Sequence, residues 1–259
     1  MSRLVHPSAV VDPGAELGED VVVGPYAIVG PGVEVGARSE IQAHAVIERD
    51  TRLGEECLVG YGAVIGSAPQ DVVYAGEPTR VAIGRGTRIR EYATVHRATG
   101  ATGETRIGAR CFLMAYVHVA HDCAIADDVV LANNVQLAGH VHVGRHAWIG
   151  GQTPVHQFVR IGELAFVGGG SRVPQDIPPF ACAAGIPLQL YGINTVGLRR
   201  AGMPPEVRLA LKHAFRLLFN SDRTTRAAIE ELRRHAGEVP AVDQLVEFVA
   251  TSKRGVLAG

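Results

Sequence analysis

From Val5 onward the chain sets an aliphatic residue at every sixth position: Val5, Val11, Leu17, Val23, Val29, Val35, Ile41, Ile47, Leu53, Val59 and Ile65. The phase returns at Ile83, Ile89 and Val95, then runs from Ile107 through Leu113, Val119, Ile125, Leu131 and Leu137 to Val173. Across the whole span only Asp71, Glu77 and Ala101 break it. Four residues after the aliphatic stands something small or β-branched, such as Ala9, Ala27, Ser39, Thr51, Ala63 or Val129. One residue after it glycine recurs, as at Gly18, Gly24, Gly54 and Gly144, which suits a tight bend or a positive φ. A period of six fits neither the stripe of a helix, which returns about every 3.6 residues, nor the alternation of a long strand. It predicts short strands joined at corners, three to a coil of about 18 residues. Stacked coils would bury the aliphatic rows as one continuous core.

Two stretches interrupt the rows without shifting their phase: "GSAPQDVVYAGEPTRVA" at 66–82 and "RATGATGETR" at 97–106. Both read as loops thrown out from the coil, where binding residues concentrate. After Val173, "PQDIPPFACAAGIP" is a proline-rich exit, and from about Leu198 the periodicity becomes helical. "PPEVRLALKHAFRLLFN" carries Pro at its first turn and Val207, Leu211, Ala214 and Leu218 at helical spacing, and "TTRAAIEELRRHA" and "VDQLVEFVATSKR" follow as amphipathic segments. The expected organisation is a β-helical domain over residues 1–190 and a helical domain over 191–259. Cys57, Cys111 and Cys123 fall in the small slot, and no CxxC spacing exists. That predicts buried packing, not a redox or zinc set.

Composition narrows the functional classes. A formal charge of -1 over 259 residues gives no global pull toward nucleic acid or anionic membrane. No apolar run approaches a bilayer span and no leader pattern stands at the start, so a soluble, cytoplasmic protein with no membrane span is expected. Aromatic residues are only 5% while glycines number 31, which agrees with a narrow repetitive core.

The candidate chemistry sits in "VHVAHD", residues 117–122. None of the histidines occupies either inward slot, so each is expected outside the core. The hexads beginning at Val119, Leu137 and Val155 are 18 apart and should stack, which would set His121, His140 and His156 in a column beside His118, one strand spacing of about 4.8 Å per coil. An imidazole column suits zinc. The carboxylate of Asp122 directly after His121 suits a general base held in orientation, and Gln157 stands where a further histidine would be. From the pattern alone, general base, metal site and surface decoration all remain open.

The hexads resemble those of the hexapeptide-repeat proteins. That resemblance implies a mainly β protein, a left-handed parallel β-helix with a C-terminal α-helical tail; the handedness runs against the usual crossover rule and comes from the resemblance alone. The strings "DVVYAGEPTRVAIG", "IREYATVHRATG", "VHVAHDC", "LANNVQLAGHV", "VHQF" and "GINTVGLRRAG" go further. In that order they are similar to the UDP-N-acetylglucosamine O-acyltransferase family of lipid A biosynthesis. The resemblance implies that His121 takes the proton from the glucosamine 3-hydroxyl, that Asp122 orients it, and that the Gly139 N–H stabilises the oxyanion. It implies that His118, His140, His156 and Gln157 line the sugar and diphosphate site. Gln70 and Asp71 would hold the glucosamine, and Asn194 and Arg200 would reach the nucleotide. Gly169 would set acyl length. The donor would be a 3-hydroxyacyl-acyl carrier protein and the acceptor UDP-N-acetylglucosamine. The assembly would be a homotrimer with sites between neighbouring β-helices. No metal or organic cofactor is implied beyond the carrier's phosphopantetheine.

Three positions depart from that family's pattern: Val73 stands where a lysine is usual, Val196 for an acidic residue and Ala201 for a second arginine. They leave room for a 3-amino sugar acceptor. The sister N-acyltransferase of the same pathway is the nearest alternative, but it carries an extra N-terminal domain. A zinc lyase of the gamma carbonic anhydrase type would be shorter and lack the sugar loop.

Overall fold

The computed structural model describes residues 4–257. From Leu4 onward, short strands run in turn through three faces of a triangular prism. Leu4–Val5 opens the first face, Val10–Val11 the second and Glu16–Leu17 the third; Val22–Val23 then returns to the first. Each strand pairs in parallel with the one a coil away, so Val5 lies beside Val23 and Val11 beside Val29. The chain is a left-handed parallel β-helix of hexapeptide repeats with a helical C-terminal tail.

The core follows the two inward slots. Ile41, Ile47, Ile65, Leu113, Leu131 and Leu137 are all buried, each facing small residues such as Ala27, Ala45, Ala63 and Val135. Each fully buried aliphatic contributes about 1.5–3 kcal/mol of transfer free energy, so the rows hold the coil. Cys57, Cys111 and Cys123 are buried in the small slot, as the pattern predicts.

The corner glycines answer to a different constraint from the positive φ offered as one reason for them. A Cβ on Gly18 would meet Ala37 N at 2.7 Å, and one on Gly24 would meet Ala43 N at 2.9 Å. These glycines are required by the close approach of the next coil. The left-handed φ falls two residues later, at Asp20, Tyr26, Asp122, His140 and Phe158. Such a conformation costs an L-residue roughly 1–2 kcal/mol, and here it recurs coil after coil at one slot of the hexad.

Both interruptions leave the same edge of the prism. In an ordinary coil six residues separate Ile47 on the second face from Leu53 on the third. In the next coil that corner runs from Ile65 to Ile83, and in the following one from Val95 to Ile107. The flanking strands extend into the excursions as Val64–Ser67, Arg80–Ile83 and Glu104–Ile107, and Arg80 pairs with Glu104 at 2.7 Å.

Beyond Phe166–Val167 the first face gains a parallel strand, Ala181–Ala184, and Gln189–Ile193 folds back antiparallel on it. Four helices follow: α1 (Thr195–Arg200), α2 (Pro205–Phe219), α3 (Thr225–Arg233) and α4 (Pro240–Ala250). The first begins three residues before the periodicity turns helical, because Asn194 caps it by accepting the Gly197 N–H at 3.0 Å. Leu198, Leu211, Leu218, Leu245 and Val249 form a second core. Arg160 fastens the tail to the prism, donating to Phe248 O at 2.9 Å and pairing with Asp176 at 3.1 Å. Among the described residues no helix is long and apolar enough to cross a membrane.

Candidate active site

The corner that carries the two excursions carries the histidines in the coils that follow. It runs from Val119 to Ile125, then Leu137 to Val143, then Val155 to Ile161. Thus both loops, His121 with Asp122, Gly139 with His140, and His156 with Gln157 share one edge of the prism.

At its centre His121 Nδ1 lies 2.7 Å from Asp122 Oδ2. The Asp122 side chain has no exposed surface, yet its carboxylate is well supplied with donors. Thr99 N and Oγ1 donate to Oδ2 at 3.1 and 2.8 Å, Thr102 N donates to Oδ1 at 3.2 Å, and the Thr102 hydroxyl donates to Oδ1 as well. Burial alone would raise the Asp122 pKa. The hydrogen bonds from Thr102, His121 and Thr99 outweigh it and hold the carboxyl at about 2. An ionised carboxylate only accepts, so a neutral His121 ring that meets it does so with Nδ1–H and keeps the Nε2 lone pair for a ligand. Such a pair can serve as a base held in one orientation by a fixed charge.

The expected histidine column is not a straight one. His121, His140 and His156 take three different slots of their hexads, so His140 falls in the slot of Asp122 and His121 in that of Gly139. The His121 ring lies against Gly139, where a Cβ would meet Cε1 at 2.5 Å and Nε2 at 2.7 Å. His140 approaches Asp122 Oδ2 with Nε2 at 3.7 Å, meets His121 edge-on at 5.3 Å and stacks on Phe158 at 4.5 Å. His156 is exposed, with Nδ1 3.2 Å from Gln157 O. The Gly139 N–H enters no hydrogen bond within the described residues, which leaves it free to donate outward.

His96 keeps out of both inward slots, as expected of every histidine, yet it is buried. It is only 7% exposed although it does not face the core, because the excursions fold over its end of the second face. Its ring meets His118 edge-on at 5.0 Å, and its Nδ1 lacks a hydrogen-bond partner. Burial, with His118, His121 and Arg97 close by, pushes its pKa down to about 4. His118 bonds Thr94 Oγ1 through Nδ1 at 2.7 Å, and its pKa is lowered by burial and then by His121. Arg97 is buried too, donating to Gly66 O at 2.6 Å and so tying the first excursion to the second.

His121, Asp122 and His140 lie close enough together to hold a metal ion. Their chemistry fits one poorly. Both oxygens of the Asp122 carboxylate already accept from threonine donors or face His121, and a cation would have to displace them.

The remaining expected residues are dispersed. Gln70 is exposed, and Asp71 accepts the Val73 N–H at 3.1 Å in a projecting turn where Val72 and Val73 are exposed. Asn194 spends its side chain on the α1 cap and on Leu164 O at 2.9 Å, while Arg200 is exposed in the last turn of α1. Gly169 lies at another edge of the prism, between the first and second faces, where a Cβ would come 3.1 Å from Gly151 O. Sequence reasoning missed Thr94, His96, Arg97, Thr99 and Thr102. Thr94, His96, Arg97 and Thr99 lie in the string "IREYATVHRATG" and Thr102 within the second interruption, but neither feature assigned them a role.

Comparison with known proteins agrees with this architecture. The family model described as bacterial transferase hexapeptide (six repeats) matches residues 14–49 and 104–139. The model for domain 2 of UDP-N-acetylglucosamine O-acyltransferase matches 176–257. The acyl-[acyl-carrier-protein]–UDP-N-acetylglucosamine O-acyltransferase of Alkalilimnicola ehrlichii is 50% identical over 254 residues, 98% of each chain. Among solved structures, the UDP-N-acetylglucosamine acyltransferase of Francisella novicida superposes with a TM-score of 0.96 at 33% identity, covering 99% of this chain and 94% of that one. The UDP-N-acetylglucosamine O-acyltransferase of Moraxella catarrhalis does so with a TM-score of 0.92 at 41% identity, covering 98% and 99%. The prism of hexads together with these relatives makes the chain a hexapeptide-repeat acyltransferase. Within that class, the chain belongs to the UDP-N-acetylglucosamine O-acyltransferase family.

Proposed function

We propose that the protein transfers a 3-hydroxyacyl chain from acyl carrier protein to the glucosamine 3-hydroxyl of UDP-N-acetylglucosamine, the first step of lipid A biosynthesis. The observation that carries the mechanism is the His121–Asp122 pair at 2.7 Å. His121 Nε2 takes the proton of the 3-hydroxyl as its oxygen attacks the thioester carbonyl carbon. The Gly139 N–H stabilises the oxyanion, a contribution of about 3–4 kcal/mol for one such donor. The C–S bond then breaks and the proton passes from His121 to the departing phosphopantetheine thiolate. No covalent enzyme intermediate and no metal take part. Asp122 holds the imidazole and balances its charge after proton uptake.

His118, His140, His156 and Gln157 share the edge with His121 and are assigned to the sugar and diphosphate. Gln70 and Asp71 are assigned to the glucosamine, and Asn194 and Arg200 to the nucleotide. The exposed turn at Val72–Val73 and the position of Gly169 on a separate edge support a homotrimer in which one chain's edge completes a neighbour's site. A carrier-borne donor implies a cytoplasmic reaction. Val73, Val196 and Ala201 leave the acceptor heteroatom to be measured.

The test is mass spectrometry of products from UDP-N-acetylglucosamine and its 3-amino analogue, offered carriers of several acyl lengths. The expected product is the 3-O-acyl sugar, with turnover cut about 100-fold or more in His121→Ala. A shift to shorter chains is expected in Gly169→Met. Stoichiometric zinc whose removal abolishes turnover would overturn the mechanism.

A further inference from the structure

The second excursion contains a tandem triplet, Ala98-Thr99-Gly100 and Ala101-Thr102-Gly103, and each triplet serves one oxygen of Asp122. Thr99 supplies its N–H and hydroxyl to Oδ2; Thr102 supplies its N–H and hydroxyl to Oδ1. The two threonines are held together by a closed turn, in which the Gly103 N–H donates to Thr99 O at 3.0 Å. Gly103 then leaves that turn at a φ of +75°. The Thr99 hydroxyl accepts the Ala101 N–H at 3.2 Å, so its own proton is aimed at the carboxylate. From below, the Asp122 N–H is fixed by Thr105 Oγ1 at 2.9 Å.

We propose that Thr99 and Thr102 are positioning residues for acyl transfer. Their paired donors fix the Asp122 carboxylate so that His121 can bind it only through Nδ1–H, which leaves Nε2 as the acceptor of the substrate proton. The chemistry follows from counting donors. Five groups point at the two oxygens, and all can donate; the Thr102 hydroxyl also has Glu104 O at 3.2 Å as an acceptor but lies closer to Asp122 Oδ1. A neutral carboxyl would need one of those directions for its own hydrogen, and a rotated carboxylate would leave the buried Thr99 N–H without its partner. Neither the side chain nor its charge is free to change, so the tautomer of His121 is set before substrate arrives. The function of the excursion is therefore more than to make room for a ligand: it closes over the coil below and orders the base.

This rests on the reading of His121 as the general base, and the experiment separates the two. Nitrogen-15 NMR of the full-length wild-type protein should show His121 as a single Nδ1–H tautomer at neutral pH. Thr99→Val and Thr102→Val, made singly, each remove one charge-assisted hydroxyl donor and should lower kcat about tenfold. KM for both substrates should stay within about twofold, and a second tautomer should appear at His121. Thr99→Ser and Thr102→Ser keep the hydroxyls and should restore both kcat and the single tautomer. A mixed or Nε2–H tautomer in the wild type overturns the proposal. So do folded valine variants with wild-type kcat and an unchanged His121 spectrum. A fully active His121→Ala enzyme overturns instead the general-base reading beneath it.

Discussion

At the site the His121 ring and the Gly139 backbone meet across a gap that admits nothing else. Because a Cβ on Gly139 would fall 2.5 Å from His121 Cε1, Gly139→Ala must displace the imidazole from its place beside the edge. A misplacement on the order of 1 Å costs roughly 100-fold in rate. Steady-state kinetics should therefore show kcat falling by about that factor while thermal unfolding stays near that of the wild type; undiminished turnover would show that His121 has slack. His96 gives a prediction of a different kind. Its pKa lies at about 4, below its ordinary 6.5, because burial favours the neutral ring. The unfolded chain therefore takes up the proton first as pH falls. The neutral ring's stabilisation is complete above pH 6.5 and is lost progressively toward pH 4, roughly 2 kcal/mol of it by pH 5. Urea unfolding at pH 7 and pH 5 should show that loss in the wild type and much less of it in His96→Phe. His121 and Asp122 were legible in the sequence because they are neighbours in it. Thr99 and Thr102 were not, because they meet Asp122 from more than a coil away through a loop with no periodicity to read.

Periodicity served the elements well. Strand positions and inward slots follow directly from the hexads, since one residue of slip would turn every aliphatic outward. The same rule explains what was missed: α1 is short and owes its start to the Asn194 cap, and the hairpin Ala181–Ile193 lies where prolines interrupt any pattern. Helix α2 carries a prediction of its own. Arg208, Lys212 and Arg216 recur every fourth residue and line one groove of about 1160 Å³ together with Tyr191. Acyl carrier proteins are acidic, so this groove is where the donor is expected to dock. Reversing the three charges should raise the carrier KM, and rising salt should weaken wild-type docking more than that of the variant. A carrier KM indifferent to both would place docking on another surface.

The molecule as a whole is close to one-dimensional, each coil touching only the coils above and below it. Its ends differ. The last coils are covered by the hairpin, the helices and the Arg160 clamp, while the first coil leaves Val5, a member of the inward row, at 39% exposure. Amide hydrogen exchange should therefore be fastest over the strands from Leu4 to Leu17 and slowest between Ile107 and Val143; uniform protection would mean that the prism opens as one unit. The edge from which both excursions leave has a further consequence, for inheritance. Between most hexads a single-residue insertion or deletion would throw all later aliphatics out of register and be lost with the fold. Between Ser67 and Arg80, or between His96 and Glu104, a change of length is absorbed outside the prism, and paired strands such as Val81 beside Thr51 keep their places. Mutation can thus rewrite the loops beside the His121–Asp122 pair in lengths as well as letters, at an edge where descendants with a different ligand could arise without first losing the coil.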